Sequence, residues 1–208
     1  MKRKRISILI TSAMLTAAVA GCGSASQGLS SESAVVTEQE AAAASDETTD
    51  TASISEVIED NTDGGHAIEV DGESRSYENV KVVKTGEADG DEADFYGENA
   101  AIFATNGADL TLSNIEVSTD GTHANAVFSY GEGTTVTIRN STIETSGNCS
   151  GGLMTTGGGT MNAENLTIHT TGNSSAAIRS DRGGGTVKVS GGTYTTDGTG
   201  SPAIYSTA

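Results

Sequence analysis

Short runs in which apolar and polar residues alternate recur along the second half of the chain, as in Val136-Thr137-Ile138 and Leu166-Thr167-Ile168. Strict alternation in segments rich in Val, Ile and Thr, bounded by Gly, Asn and Asp, is the pattern of a half-buried strand. The runs are also periodic. Ile102, Val127, Leu153, Ile178 and Ile204 are separated by 25, 26, 25 and 26 residues. A second file, Leu110, Val136, Met161 and Val187, steps by 26, 25 and 26, and a third, Val117, Ile143, Ile168 and Tyr194, does the same. A repeat this short cannot bury its own apolar face, so successive coils must share one core. Three short strands per coil, one direction of travel and no room for a helix predict an all-β fold. The expected form is a right-handed parallel β-helix solenoid over residues 64–208, with 25–26 residues per coil. A leucine-rich repeat of similar length would need a Leu pattern that this chain lacks.

A fourth file marks the corners. Asn79, Asn114, Asn140 and Asn165 each follow a second strand, and Gly191 continues the column. Asn and Gly best tolerate positive φ, so the column predicts a left-handed corner on every coil, with a structural ladder of amides linked up the stack. The runs Gly157-Gly158-Gly159-Thr160 and Gly183-Gly184-Gly185-Thr186 look like phosphate loops. They lie one repeat apart and lead into strands, so they read as corner glycines.

The ends of the chain read differently. Lys2-Arg3-Lys4-Arg5 followed by a mostly apolar stretch to Ala20 has the form of an export signal, here residues 1–21. It closes on Val19-Ala20-Gly21-Cys22, which resembles a bacterial lipobox and implies lipidation of Cys22. Residues 22–52 are low-complexity, acidic and without Lys or Arg, and are expected to form a disordered tether. Ser53-Ile54-Ser55-Glu56 has the form of a capping box, so residues 53–63 are expected either to cap the first coil with a short helical turn or to extend the tether. At the other end, the last coil stops after its first strand. That would leave Val187, Val189 and Tyr194 at an open edge, and the expectation is a sequence truncated at its C-terminus.

Charge narrows the partners. The signal holds four of the eleven basic residues, leaving seven against 28 acidic ones in the remaining chain. Such a surface disfavours nucleic acid and anionic polysaccharide as electrostatic partners and favours cations. The first coil is longer than the others by an acidic insertion, Glu87 to Tyr96. Asp89, Asp91, Glu92 and Asp94 in it are hard oxygen ligands and make a candidate calcium site, although their spacing does not match an EF-hand loop. Otherwise no cofactor is expected. Cys149 has no intrachain partner once Cys22 is lipidated, and is expected to sit inertly in a turn. His66, His123 and His169 are scattered and do not read as a metal cluster. Glu144 and His169 share one outward file on adjacent coils and are expected to form a surface pair.

The outward face of the first strand in each coil carries the candidate binding residues. If Ile102, Val127, Leu153, Ile178 and Ile204 point inward, then Phe103, Phe128, Met154, Arg179 and Tyr205 point outward, with Tyr130 and Asp181 nearby. Beside them runs a file of Ala67, Ala101, Ala126, Gly152, Ala177 and Ala203, read as a floor of small residues along a shallow groove. A regular exposed apolar strip marks a binding surface, and aromatic faces one strand apart suit sugar rings. The alternative is that a loop or another chain covers the strip. Regular outward Thr rows, which would suggest ice binding, are absent: one file reads Thr111, Thr137, Asn162, Lys188.

The coil period, the Asn column and the lipobox together resemble the pectate-lyase-like superfamily and the adhesin-like or carbohydrate-binding β-helical lipoproteins of bacterial surfaces. The resemblance covers residues 64–208. In the enzymes of that superfamily the corresponding face carries clustered Asp residues, or calcium-binding acids with a basic proton acceptor. Here Asp181 lies between Arg179 and Arg182, with no second carboxylate on the neighbouring coils of that face, and glycoside hydrolysis needs two. No catalytic residue is assigned. The resemblance therefore implies a non-catalytic, adhesin-like β-helix that is exported, lipid-anchored and faces outside the cytoplasm. It would bind a polysaccharide or a cell-surface protein along the first strands, touching the membrane only through its anchor. The alternative is a polysaccharide lyase or glycoside hydrolase whose site is incomplete in this fragment.

Overall fold

The computed structural model describes residues 53–207. The export signal, Cys22 and the acidic tether lie outside the described residues. β1 (Glu56–Asp60) comes first, and a first coil follows of β2 (Ile68–Asp71), β3 (Ser74–Glu78) and β4 (Val80–Lys84). A short helix, α1 (Asp91–Phe95), precedes β5 (Ile102–Thr105), β6 (Asp109–Ser113) and β7 (Glu116–Thr119). Next come β8 (Val127–Tyr130), β9 (Thr135–Arg139) and β10 (Thr142–Thr145), then β11 (Leu153–Thr156), β12 (Gly159–Glu164) and β13 (Thr167–Thr170). The last coils are β14 (Ile178–Ser180), β15 (Gly185–Ser190) and β16 (Thr193–Thr196), and finally β17 (Ile204–Ser206).

Every third strand stacks on its counterpart one coil away. The result is three parallel sheets, β1-β4-β7-β10-β13-β16, β2-β5-β8-β11-β14-β17 and β3-β6-β9-β12-β15. This is a parallel β-helix of about six turns. The register follows the apolar files: Ile102 pairs with Val127, Leu153 with Val127 and Ile178, Leu110 with Val136, and Ile143 with Val117 and Ile168. These side chains meet inside the coil, and Ile102, Leu110, Leu112, Ile138, Ile143, Leu153 and Met161 are all fully buried. At roughly 1.5–3 kcal/mol for each large side chain removed from water, this shared core is the main favourable term in folding.

Polar ladders finish the corners. Asn79, Asn114, Asn140, Asn165 and Gly191 have φ of 58°, 48°, 49°, 55° and 66°. The Asn114 amide donates to Asn79 Oδ1, and Asn165 Nδ2 donates to Asn140 Oδ1 at 3.0 Å. A second corner is built from Ser and Gly. Ser150, Ser175 and Ser201 hydroxyls donate to the carbonyls of Gly121, Gly147 and Gly172 at 2.8, 3.0 and 2.9 Å. Thr145 and Thr170, pointing inward at the ends of their strands, donate to the Ser150 and Ser175 carbonyls.

Two expectations change here. The capping-box segment does not start a helix: it leads into β1, which pairs with β4 from Glu56↔Val80 to Asp60↔Lys84. The open edge of β4 offers a full row of backbone partners, and Asp60 meets the fully buried Lys84 ammonium at 2.8 Å. A helical turn would satisfy neither. The file of small residues is not the floor of an outer groove. Ala101, Ala126 and Ala177 belong to the inner core, and a Cβ on Gly152 would stand 2.6 Å from both the Ala177 carbonyl oxygen and Ile168 Cγ2. Small size is required there by close packing of neighbouring coils.

Candidate functional site

Phe103, Phe128 and Met154 point away from the main core, one above another, in register across β5, β8 and β11. They are not exposed. Phe128 and Met154 are fully buried and Phe103 is 8% accessible, and with Ala100 they form a second, smaller apolar cluster. The expected open strip is thus corrected for these three residues. The acidic insertion, with α1 in it, folds over them. A strip of this size would otherwise face water; Ala100 and Tyr130 pack against it, and the backbone at Gly97, just after the insertion, lies against the Phe103 ring.

Specific contacts hold the cover down. The Thr156 hydroxyl of β11 donates to the Phe95 carbonyl at 2.7 Å. Tyr96 meets Tyr130 edge-on at 5.8 Å; outside the insertion, His66 covers Phe103 by stacking on it at 4.8 Å. The Arg182 guanidinium lies 3.6 Å from the Phe95 ring centre, and its Nη1 reaches Asp91 at 2.7 Å. The returning chain is anchored by the buried Asn99 side chain, which donates to the carbonyls of Gly86 and Thr122 at 2.7 and 3.1 Å. The four candidate calcium ligands go separate ways: Asp91 to Arg182, Asp94 to His123, while Glu92 is exposed and the Asp89 carboxylate is almost fully solvated. Among the described residues, only Asp94 of the four falls within a group of converging potential ligand atoms.

Next in the outward file come Arg179, whose largely buried guanidinium lies 5.3 Å from the Phe95 ring centre, and the exposed Tyr205. Arg179 grips Asp181 through Nε at 3.0 Å and Nη2 at 2.7 Å, and its guanidinium sits 5.8 Å from the Tyr205 ring centre. Asp181 also accepts from the Arg182 backbone N–H and the Thr207 hydroxyl, each at 2.7 Å. Burial pushes the Asp181 carboxyl up, but the backbone N–H, the Thr207 hydroxyl and Arg179 together outweigh it and hold it below the usual carboxylate range. Arg179 and Tyr205 border a cleft of about 340 Å³ that Asp94, Cys149, Ser174 and Pro202 also line.

The wall of this cleft was missed by sequence reasoning. His123 and Cys149 occupy equivalent left-handed corners one coil apart, with φ of 57° and 56°. Asp94, on α1, comes to both, and one potential ligand atom from each of the three lies within 4.8 Å of the others. The histidines are scattered in sequence, yet His123 does join a ligand cluster. The spacing of 26 residues between His123 and Cys149, one full coil, is the signal that pairs them. Burial pushes the Cys149 thiol up, the Asp94 carboxylate adds to this, and Arg179 opposes it. His169, by contrast, reaches past its file neighbour Glu144 to Asp197 at 2.8 Å, so the expected Glu144–His169 pair is replaced.

No family model, no curated protein and no solved structure matches this chain.

Proposed function

We propose that this β-helix is a non-catalytic binding protein that takes a glycan at the cleft beside Arg179 and Tyr205. The supporting observation is the change along the outward file, where aromatic and apolar residues are covered as far as Met154 and are followed by a largely buried Arg–Asp pair beside a Tyr that is 42% accessible. A ring face flanked by fixed donors and acceptors matches a sugar, which offers an apolar C–H face and a rim of hydroxyls. Asp181 favours binding over hydrolysis. A general acid needs a raised pKa, and this carboxylate is held ionised by three donors.

Export and lipid anchoring at Cys22 belong to the same proposal and rest on the N-terminal residues alone. They would place the cleft outside the cytoplasm, where polysaccharide or a cell-surface protein is the available partner. A glycan array on the purified protein tests the reading. Retention of one glycan class, reduced about tenfold or more in Tyr205→Ala and Arg179→Ala with unchanged far-UV spectra, is the expected result. Equal retention by wild type and both variants would remove the cleft, and capture of a surface protein with no glycan retained would replace the ligand class.

A further inference from the structure

We propose that Asp94, His123 and Cys149 form a site for a borderline-soft divalent metal ion of the zinc class, open on one side to the cleft. The inference rests on these three side chains and does not require the glycan reading. His123 carries it: the residue is 6% accessible, and its Nδ1 is buried without a hydrogen-bond partner. Buried ring nitrogens are rarely left so, because the lost hydration must be replaced. Asp94 Oδ1 stands 3.1 Å from that nitrogen without making a hydrogen bond to it. That separation is close to the ~3.3 Å edge expected between nitrogen and oxygen ligands that share a tetrahedral metal at ~2.0–2.1 Å.

The donor set chooses the ion. One imidazole, one thiol and one carboxylate suit zinc or cobalt; calcium and magnesium prefer oxygen alone. The other ring nitrogen of His123, Nε2, has the solvated Asp89 Oδ1 at 3.7 Å, beyond hydrogen-bond distance, so the acidic insertion adds negative charge beside the site without fixing the imidazole. Arg179 is the nearby opposing charge, and Asp181 already engages it. Three protein ligands leave a fourth position, and since Asp94 and Cys149 both line the cleft, that position opens into it. The acidic insertion thus supplies a ligand, Asp94, to a mixed site it shares with two corners of the helix.

The test is a cobalt titration of the full chain, reduced and stripped of metal. One Co²⁺ per chain is expected, with a thiolate-to-cobalt charge-transfer band and the intense visible bands of a tetrahedral ion, both displaced by zinc and neither by excess calcium. Cys149→Ser should remove the charge-transfer band. His123→Asn, whose new side chain tolerates the left-handed corner, and Asp94→Asn should each weaken cobalt binding at least ~10-fold with far-UV spectra unchanged. No stoichiometric band, displacement by calcium, or a band unaffected by His123→Asn and Asp94→Asn would overturn the site. The last outcome would identify a solitary reactive thiol. Because the readout needs no glycan, loss of this site and loss of the binding reading are separable.

Discussion

Gly121, Gly147, Gly172 and Gly198 stand in one file where a single methyl group decides whether coils can stack. A Cβ on Gly147 would lie 1.9 Å from the Gly121 carbonyl oxygen, and one on Gly172 would lie 1.8 Å from that of Gly147. Both obstacles are backbone, so relief requires the coils to separate. Gly147→Ala should therefore cost about 3 kcal/mol or more by chemical denaturation. Gly107→Ala, at φ 82° with nothing near its Cβ, should cost only the left-handed strain of about 1–2 kcal/mol. Equal losses would contradict the steric reading. Asp60 makes a second prediction at this scale. Burial raises its carboxyl, but hydrogen bonds from Lys84 and Thr62 and the Lys84 charge leave it below its ordinary 3.8. Its contribution is then fully present above that ordinary value and is lost as pH falls through the lower folded value. Wild type should lose stability on acidification through this range. Asp60→Asn, which strands a buried ammonium, should be less stable by about 3 kcal/mol at neutral pH and lose less on acidification.

Among the elements, the insertion changes the meaning of the face it covers. Phe128→Ala should destabilise by about 3–5 kcal/mol, because a fully buried ring leaves a cavity. Phe95→Ala, on the cover itself, should cost only about 2 kcal/mol and should raise the binding of a hydrophobic dye as the strip beneath opens. Dye binding unchanged in Phe95→Ala would mean that the cover does not depend on this ring. The direction of the outward file was legible in the sequence because a two-residue period leaves no choice once Ile102 and Val127 point in. Its burial was not legible. Alternation says which side a residue faces, whereas the cover is made by an irregular insertion that lies outside the repeat and docks through Asn99 just after it and through Thr156 and Arg182 on later coils. The segment Ser53–Glu56 failed for a related reason: a local capping pattern competed with an open sheet edge, and the edge offered more hydrogen bonds.

Across the whole molecule, stacking turns sequence distance into contact at one step of 25 or 26 residues. This is why the core and the corners could be read from spacing alone, and why His123 and Cys149 become neighbours. Applying the same period to the titratable residues would have paired those two, but not Asp94, which arrives from outside the repeat. Two features must hold together in the molecule: coils in register, and the insertion lying on the file they create. A nuclear Overhauser experiment with labelled Phe rings and Met methyls tests both at once. The predicted result is a chain of cross-peaks from Phe103 to Phe128, whose ring centres are 6.0 Å apart, and on to the Met154 methyl, with Phe103 also linked to His66. All three residues should keep sharp signals when a soluble paramagnetic agent is added to the intact protein. Phe128 and Met154 signals that the agent broadens, and that share no cross-peak, would contradict both the register and the cover.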